Sequence, residues 1–425
     1  MSLSRRHFFQ RTIAGAAGAV ALTTMPGCAR LGMSPEVTET MSSLAPPPGK
    51  PEPISHDERR HRIEKARRLM LESKIDAIFL DAGSSMFYFT GVRWHASERM
   101  LAAILPARGE IGWVCPAFEE QRLREFPGVG DTVYTWQEHE SPYQRVTQFL
   151  SQQDIAGGRI GVEERSRFFL YDGMRQLAPA ADFVSADPVT AGCRMIKSEA
   201  ELALMQHAND ITIAAFRAVL QSLREGMTRD EFNGLCAAAF RALGVQGGAF
   251  GQFGEGSALP HGSSKPRALK EGDVVLMDGG CSVEGYRSDI SRTTVFGRPS
   301  RRQRDVWDLE RRAQDAALAA ARPGALCEEV DAAARKVIVE GGFGPDYKYF
   351  THRVGHGIGL DGHEWTYLVR GNKTVLAPGM CFSNEPGIYI QGEFGVRLED
   401  CMTITEDGAR LFTRQSPAID EPFAP

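Results

Sequence analysis

The stretch VVLMDGGCSVEGYRSD occupies residues 274–289 and decides how the rest of the chain is interpreted. Its first four residues are apolar, and the carboxylate of Asp278 then precedes two glycines. This pattern predicts a buried strand that delivers a charge to a turn, and a second carboxylate, Asp289, follows after a short link. Neighbouring buried carboxylates are costly unless a cation meets them, so a metal site is one interpretation. Two turn aspartates in a hairpin are the plainer alternative, and this stretch alone favours that alternative.

The composition is that of an ordinary globular protein with more than one domain. Of the 425 residues, 42% are hydrophobic and 24% are charged. The formal net charge is -5 and no basic run is interleaved with aromatic residues, which argues against nucleic-acid binding. No uncharged apolar run reaches about 18 residues, so we expect no membrane span in the mature protein.

The N-terminal residues differ from the rest and are excluded from the fold prediction. Twin arginines at 5–6 precede a weakly apolar, Ala- and Gly-rich run over 13–25, which is the layout of a twin-arginine export signal. We therefore expect a signal peptide over 1–28, a disordered linker over 29–54 and a periplasmic location. Lipidation of Cys28, which would tether the protein to a membrane, is left open.

Seven cysteines follow Cys28 at scattered positions, mostly in apolar surroundings. An odd number without a CxxC pair argues against a disulfide framework and against a thiolate zinc site. We expect these cysteines to be buried free thiols, which would suit a protein that folds in the cytoplasm before its export.

An N-terminal α/β domain is predicted over residues 55–190. Ser55 and Glu58 form a capping box ahead of an amphipathic helix that runs to about residue 73. Strands and helices then alternate as far as Val184, and such alternation is typical of an α/β layer.

A second domain is predicted over residues 194–425, with a repeated order of helix, helix and strands. The order appears over 195–297, where a capping box at Ser198 opens a helix that runs to Gly226, and again over 300–405. The repetition predicts a duplicated α/β fold in which both halves share one sheet and the helices lie outside.

The second half of this domain supplies three more side chains that could bind a metal. His356 is flanked by glycines in VGHGIG, Glu385 lies in SNEPG, and Glu399 lies on an alternating strand in GVRLED. Taken singly, each has a plain explanation as a loop histidine, a turn glutamate or a strand-end ion pair. Together with Asp278 and Asp289 they form an oxygen-rich set with one nitrogen, which suits two divalent ions such as Mn²⁺ or Co²⁺. Two ions about 3.5–4 Å apart would share a hydroxide and clamp a carbonyl oxygen during hydrolysis.

At these residues the chain resembles the pita-bread metallopeptidase family, and in particular its Xaa-Pro dipeptidase (prolidase) and aminopeptidase P branch. The resemblance covers 55–415 and rests on five ordered motifs: DGG at Asp278, RSDISRT at Asp289, GHGIGL at His356, NEPGIY at Glu385 and GVRLED at Glu399. It implies an α/β (α+β) chain, with a creatinase-type N-terminal domain ahead of a duplicated pita-bread catalytic domain. It also implies a homodimer.

The same resemblance implies a role for each ligand. Asp278 would chelate one ion, Asp289 and Glu399 would bridge the two ions, and His356 with Glu385 would hold the other. Mn²⁺ is the expected metal, with Co²⁺ or Zn²⁺ as alternatives. Glu385 would also shuttle the proton of the bridging water.

Further residues match the family around these ligands. His261 in LPHG and His363 in GHE would contact the substrate and stabilise the tetrahedral intermediate, a role that suits a donor aimed at an oxyanion. Arg397 would steady the site or contact the substrate. Tyr286 and His352 are weaker candidates for lining the substrate pocket.

The loop after His363 departs from the family pattern, because the chain reads EWTYLVRG over 364–371. This departure leaves the shape of the substrate pocket open. Arg370 on this loop is a candidate for binding the free carboxylate of a dipeptide in a bidentate pair, although a solvated arginine is the plainer interpretation.

The export signal and the family resemblance together imply an exported exopeptidase that cleaves the bond before proline in small peptides. A dipeptidase is favoured slightly over an aminopeptidase P, because the two share every ligand. The rivals are a pita-bread protein that only binds peptides and a creatinase-like hydrolase that works without metal. The complete ligand set counts against both rivals.

Overall fold

The N-terminal domain is built on a six-stranded mixed sheet, and the computed structural model describes residues 35–423 of the chain. The strands are β1 (Ala77–Asp81), β2 (Ala102–Pro106), β3 (Gly112–Pro116), β4 (Val133–Trp136), β5 (Arg159–Val162) and β6 (Asp182–Ser185). The helices are α1 (Pro35–Ser42), α2 (His56–Ser73), α3 (Ser84–Thr90), α4 (Glu120–Leu123), α5 (Pro142–Gln152), α6 (Phe168–Leu177) and α7 (Asp187–Arg194).

The strands of this sheet run in the order β4-β3-β2-β1-β5-β6. The β1–β2 and β2–β3 pairs are antiparallel, whereas β1–β5, β3–β4 and β5–β6 are parallel. Strands β1, β2 and β3 are buried at every position, so both of their faces are covered. This burial explains why their sequences are nearly continuous apolar runs.

The second domain has two halves with the same order of elements. Its helices are α8 (Glu199–Gln221), α9 (Arg229–Ala242), α10 (Arg301–Ala320) and α11 (Cys327–Glu340). The first half adds strands β7 (Gln246–Phe253), β8 (Val274–Val283), β9 (Tyr286–Arg287) and β10 (Ile290–Val295). The second half adds β11 (Gly355–Gly357), β12 (Glu364–Leu368), β13 (Cys381–Asn384), β14 (Gly387–Ile390), β15 (Phe394–Arg397), β16 (Asp400–Ile404) and β17 (Ala409–Leu411).

The two halves do not share one continuous sheet, which corrects the prediction. Strands β10-β8-β7 form the sheet of the first half with β9 on β8, and β12-β11-β13-β16-β17 form that of the second. Strands β14 and β15 form a separate hairpin. An isolated bridge between Ser291 and Glu399 joins the halves, with the Ser291 amide 3.3 Å from the Glu399 carbonyl and the Glu399 amide 3.1 Å from the Ser291 carbonyl. This bridge therefore joins the halves at Glu399, a predicted ligand, and at Ser291, two residues from the predicted ligand Asp289.

Two predicted helix features need correction. Helix α8 ends at Gln221 and does not reach Gly226, whose amide bonds to the carbonyl of Leu269 instead of continuing the helix. At α2, the Ser55 hydroxyl accepts from the amide of Glu58 at 3.1 Å, as a cap should. The Glu58 carboxylate, however, binds Arg62 at 2.6 Å and Ser198 at 2.7 Å, so it ties α2 to the start of α8.

The disordered linker predicted over 29–54 is wrong for residues 35–54. Helix α1 lies here and contacts α9. Met41 is 2% exposed and Ile54 is 5% exposed, because both side chains join the core that the two domains share. The predicted signal peptide, including Cys28, lies outside the described residues.

Two further observations concern the chain as a whole. Within residues 35–423, none of the helices combines the length and the apolar character needed to cross a membrane. The cysteines after residue 28 are buried free thiols, as predicted: Cys115, Cys193, Cys236, Cys281, Cys327, Cys381 and Cys401.

Candidate metal centre

The five predicted ligands come from strands of both halves of the second domain. Asp278 lies within β8, and Asp289 directly precedes β10. In the second half His356 is the central residue of β11, Glu385 directly follows β13, and Glu399 lies between β15 and β16. Two of the five side chains thus lie within strands, and the other three lie directly beside strand ends.

The sequence pattern predicts that Asp278 stands at the end of a strand, but the structure places it within one. Strand β8 continues to Val283, because Gly279 and Gly280 remain in the ladder opposite Ala249 and Gly248. A Cβ atom at Gly279 would lie 2.2 Å from the carbonyl oxygen of Gly248, and one at Gly280 would lie 2.1 Å from that of Ser288. The two glycines therefore let backbone pack closely around Asp278, and they do not form a turn.

The five side chains form one cluster. Ligand atoms of Asp278, Asp289 and Glu399 all lie within 4.8 Å of one another, and so do those of His356, Glu385 and Glu399. His356 Nε2 is 3.1 Å from Glu385 Oε1 and 3.9 Å from Asp289 Oδ2. Glu399 belongs to both groups, so it connects the two sides of the cluster.

Arg397 and Ser291 bind the carboxylates of Asp278 and Glu399. Arg397 is 3% exposed, and its Nη2 is 2.7 Å from Asp278 Oδ2. Its Nε donates to the Ser291 hydroxyl at 3.0 Å, and that oxygen lies 3.0 Å from Asp278 Oδ1 and 2.8 Å from Glu399 Oε2. A single arginine therefore orients two carboxylates, one directly and one through a serine.

The crowding of charge shifts the pKa values of the cluster in opposite directions. Burial raises the pKa of Asp289 to about 7, and the charge of Asp278 adds to this effect. Burial also raises the pKa of Glu399 well above its usual range, with Asp289 as the next cause. For Glu385 burial acts the same way, but the hydrogen bond and charge of His356 outweigh it and hold the pKa at about 2. Carboxylates this close must share protons or meet cations.

The donor set fits a pair of divalent metal ions. Glu399 Oε1 is buried and has no hydrogen-bond partner among the described residues, although buried acceptors are normally satisfied. The four carboxylates and one imidazole of the cluster are the ligands that Mn²⁺ and similar ions accept. The site therefore has groups that could bind divalent metal ions.

His363 and His261 differ in how closely they approach the cluster. The ring of His363 stacks on that of His356 with centroids 3.7 Å apart and an interplanar angle of 14°. Burial, together with the charge of His356, lowers the pKa of His363 to about 4. His261 is exposed and follows Pro260, whose carbonyl accepts from Arg397 at 3.0 Å. The backbone before His261 is therefore anchored at the edge of the site.

Tyr286 and Arg370 do not take the places that the sequence predicted. Tyr286 is 1% exposed, and its hydroxyl donates to Glu201 at 2.9 Å and accepts from Arg62 at 3.2 Å, so it serves the domain interface. Arg370 is exposed and pairs with Asp346 at 3.0 Å. This position agrees with the plainer interpretation, a solvated arginine. The contacts of both side chains therefore lie with residues outside the five predicted ligands.

Sequence reasoning missed three residues that hold the cluster together. Ser291 is one, and Ser383 is another, since its hydroxyl donates to Glu385 at 3.1 Å and accepts from the His356 amide at 3.0 Å. The third is Tyr389, whose hydroxyl lies 2.8 Å from both Arg397 Nη1 and the predicted lining residue His352. Ser291 and Ser383 stand two residues from a ligand, which is the signal that could have identified them.

Comparisons with known proteins identify the family of both domains. The model of metallopeptidase family M24 matches residues 203–406, and that of the creatinase/prolidase N-terminal domain matches residues 62–196. The Xaa-Pro dipeptidase of Lactobacillus delbrueckii subsp. lactis is 32% identical over 84% of this chain and 98% of its own length. A probable dipeptidase, PepE, of Mycobacterium bovis is 37% identical over 81% of this chain and 93% of its own.

A solved structure shows the same fold. The prolidase from Thermococcus sibiricus matches with a TM-score of 0.78 and 30% identity, over 84% of this chain and 97% of that one. These findings confirm the family and the fold class that the sequence predicts. The chain therefore belongs to metallopeptidase family M24, with a creatinase/prolidase N-terminal domain ahead of its pita-bread catalytic domain.

Proposed function

We propose that this metallopeptidase is an Xaa-Pro dipeptidase, which hydrolyses the bond before proline in small peptides. The observation that carries the proposal is the single cluster formed by Asp278, Asp289, His356, Glu385 and Glu399. The names of the relatives support the dipeptide substrate, because two of the three proteins compared above are an Xaa-Pro dipeptidase and a prolidase.

Asp278, Asp289, His356, Glu385 and Glu399 would hold two divalent ions, and Mn²⁺ is the metal we propose. Such ions supply a Lewis acid for the scissile carbonyl and lower the pKa of a water molecule that attacks it. The hard oxygen ligands favour Mn²⁺ or Co²⁺ over a soft thiolate-binding ion, and Zn²⁺ remains an alternative.

The surrounding side chains supply binding and proton transfer. Glu385 is held ionised beside His356, so it can accept a proton and pass it to the leaving imino nitrogen of proline. His363, which is exposed on one side and stacked on His356 on the other, would donate to the carbonyl oxygen as negative charge develops there. His261 would assist from the opposite loop, and Arg397 would keep Asp278 in place.

An exposed aromatic side chain supports recognition of proline. Phe250 on β7 stands directly opposite Asp278 on β8, so both side chains project from the same face of the sheet. Phe250 is 68% exposed, which leaves its ring free to contact a substrate. A proline ring is apolar and lacks an amide N–H, so packing against an aromatic ring would suit it.

The experiment that tests the proposal compares two substrates with metal-stripped protein before and after Mn²⁺ is added. Hydrolysis of Ala-Pro restored by Mn²⁺, with Ala-Pro-Gly left intact, is the expected result. Restored cleavage of Ala-Pro-Gly instead would assign the chain as an aminopeptidase P. If neither peptide is cleaved although the protein has bound Mn²⁺, the proline specificity is wrong. Asp289→Asn provides the inactive control.

We further propose that the protein is exported, acts in the periplasm and forms a homodimer. The twin arginines at 5–6 and the apolar run behind them support export by the twin-arginine route, and Cys28 would provide a lipid tether. The resemblance to the prolidase and aminopeptidase P branch supports the homodimer. Fractionation of cells with and without Arg5→Lys and Arg6→Lys tests the first part, and light scattering tests the second.

A further inference from the structure

The loop that carries His363 is held by the N-terminal domain. It links β11 to β12, and three residues of the other domain reach it: Ser84 at the start of α3, Arg165 between β5 and α6, and Arg194 at the end of α7. The histidine proposed to contact the reacting carbonyl is thus fixed by side chains from outside the catalytic domain.

Asp361 is the residue on which these contacts converge. Its Oδ2 is 2.7 Å from Arg194 Nη2 and 3.1 Å from Arg165 Nη1, and its Oδ1 accepts from the Ser84 hydroxyl at 2.6 Å. Its amide donates to Glu364 Oε1 at 3.0 Å. Charge-assisted bonds of this kind hold a loop more firmly than neutral ones.

Arg165 makes the contact that reaches His363 itself. One nitrogen of its guanidinium pairs with Asp361, and another donates to the backbone carbonyl of His363. The planar fork of an arginine can satisfy both acceptors at once, which an ammonium group cannot do with the same geometry. The backbone of His363 therefore has a fixed position relative to the N-terminal domain.

The position of this backbone decides where the ring of His363 lies. The ring stacks on His356 at 3.7 Å between centroids, so a small displacement of the loop would separate them. The next residue, Glu364, is anchored independently, because it pairs with Arg194 and with Lys197 at 3.2 Å. Loss of Arg165 would remove the contact on the His363 carbonyl and one of the contacts on Asp361. Arg194 and Ser84 would still hold Asp361, so the loop would stay attached but its backbone near His363 would be less tightly fixed.

We propose that Arg165 is a positioning residue: its contacts with Asp361 and the His363 carbonyl hold the His363 ring against His356. This inference rests on the proposed function, because it takes His363 as a group that contacts the reacting carbonyl. Arg165 has a side chain that is 54% exposed, so its removal leaves little buried charge unpaired. Removing Arg165 should therefore change catalysis and leave the stability of the fold unchanged.

The kinetic signature follows from the stage at which His363 acts. A donor that binds the oxyanion contributes to the transition state and not to the bound ground state. Misplacing it lowers kcat and leaves KM almost unchanged, and a displacement of about 1 Å costs on the order of 10- to 100-fold. We expect kcat of Arg165→Ala to fall about tenfold.

The experiment measures kcat, KM and backbone hydrogen exchange for the full-length, Mn²⁺-loaded protein and three variants. Arg165→Ala tests the inference, and Arg165→Lys keeps the charge on Asp361 without the fork. Arg159→Ala is the matched control, since Arg159 also pairs with an aspartate, Asp182, and with backbone carbonyls, but only within the N-terminal domain. Exchange is read at residues 359–361, because the amide of Gly359 donates to the carbonyl of Asp361 and the amide of Asp361 donates to the Glu364 side chain.

The expected result has three parts: Arg165→Ala lowers kcat and speeds exchange at 359–361, Arg165→Lys recovers kcat only in part, and Arg159→Ala changes neither. Equal kcat for Arg165→Ala and wild type would overturn the inference while leaving the proposed function intact. A rise in KM with unchanged kcat would also overturn it. An inactive wild type with bound Mn²⁺ refutes the proposed function, and slow exchange at 359–361 in Arg165→Ala would then still refute the positioning role.

Discussion

Arg397 Nη2 lies 2.7 Å from Asp278 Oδ2, so a cation that the protein itself supplies already meets one of the candidate metal ligands. The Arg397 side chain is 4% exposed and that of Asp278 is 27% exposed. The guanidinium also donates to Tyr389, Ser291 and the carbonyl of Pro260. Arg397 thus connects the candidate metal ligand Asp278 to the loop that precedes His261.

Replacing Arg397 by Met is expected to destabilise the metal-free protein by about 3 kcal/mol, because Asp278 then loses its buried partner. Urea unfolding measures this change, with Arg370→Met as the control. Arg370 pairs with Asp346 at the surface, so its removal should leave the unfolding midpoint unchanged. Equal midpoints for the two variants would show that Arg397 does not stabilise the carboxylate cluster.

Much of the fold and of the site could be predicted from local patterns. The apolar run before Asp278, the capping box at Ser198 and the repeated order of elements depend on neighbouring residues, and all of them appear in the structure. What failed depends on distant residues. Tyr286 was misplaced because its partner Arg62 lies 224 residues away.

Arg165 could not have been found from the sequence for the same reason. It reaches the backbone of His363 across 198 residues, and a carbonyl acceptor leaves no trace in the residue types. The helix over Pro35–Ser42 was missed because its polar, Pro-rich surroundings are typical of linkers, whereas its burial depends on a contact with α9. Local patterns thus predict the ligands, and tertiary contacts decide what supports them.

Metal binding should stabilise the protein in a way that depends on the cluster. Mn²⁺ bound by Glu399, Asp289 and their neighbours would neutralise the crowded carboxylates and stabilise the native state by about 2.7 kcal/mol at a hundredfold excess over Kd. The thermal midpoint of metal-stripped protein should therefore rise on addition of Mn²⁺. Asp289→Asn should lose most of this rise. Asp81→Asn, at a carboxylate that pairs with Arg167 in the N-terminal domain, should keep it.

The stability of the protein should fall as pH rises through the titration of Glu163. Burial raises the pKa of this partly buried carboxyl to about 7, and the charges of Asp361 and Asp81 act in the same direction. An unfolded glutamate titrates near about 4.3. Between about pH 4 and 7 the native state therefore holds the extra proton, so the free energy of unfolding decreases with increasing pH.

Urea midpoints of metal-stripped protein at about pH 5 and about pH 8 measure this dependence. Glu163→Gln should reduce the difference between the two midpoints relative to wild type, because the amide does not titrate. Glu164→Gln, at the exposed neighbouring position, should leave the difference as it is. A Glu163→Gln protein with the full wild-type difference would mean that other groups cause the pH dependence.

His363→Ala should lower kcat by about 10²- to 10³-fold, the usual cost of removing one oxyanion donor. Because all five candidate ligands of the cluster remain in this variant, the stabilisation by Mn²⁺ should persist. His95→Ala, at an exposed position of the N-terminal domain, should behave like wild type. Loss of the Mn²⁺ stabilisation in His363→Ala would instead make His363 a metal ligand, which its distance from Asp289 and His356 allows.

Phe250→Ala should reduce the preference for proline. Phe250 projects beside Asp278 and is 68% exposed, so a substrate ring that packs on it would bury apolar area on both partners. Loss of that contact is expected to raise KM for Ala-Pro about tenfold, or about 1.4 kcal/mol. Phe118→Ala removes an equally exposed phenylalanine, 63% accessible, from the N-terminal domain and should leave KM unchanged. If Phe250→Ala keeps the wild-type KM for Ala-Pro, the proline ring does not pack on Phe250 and binds elsewhere.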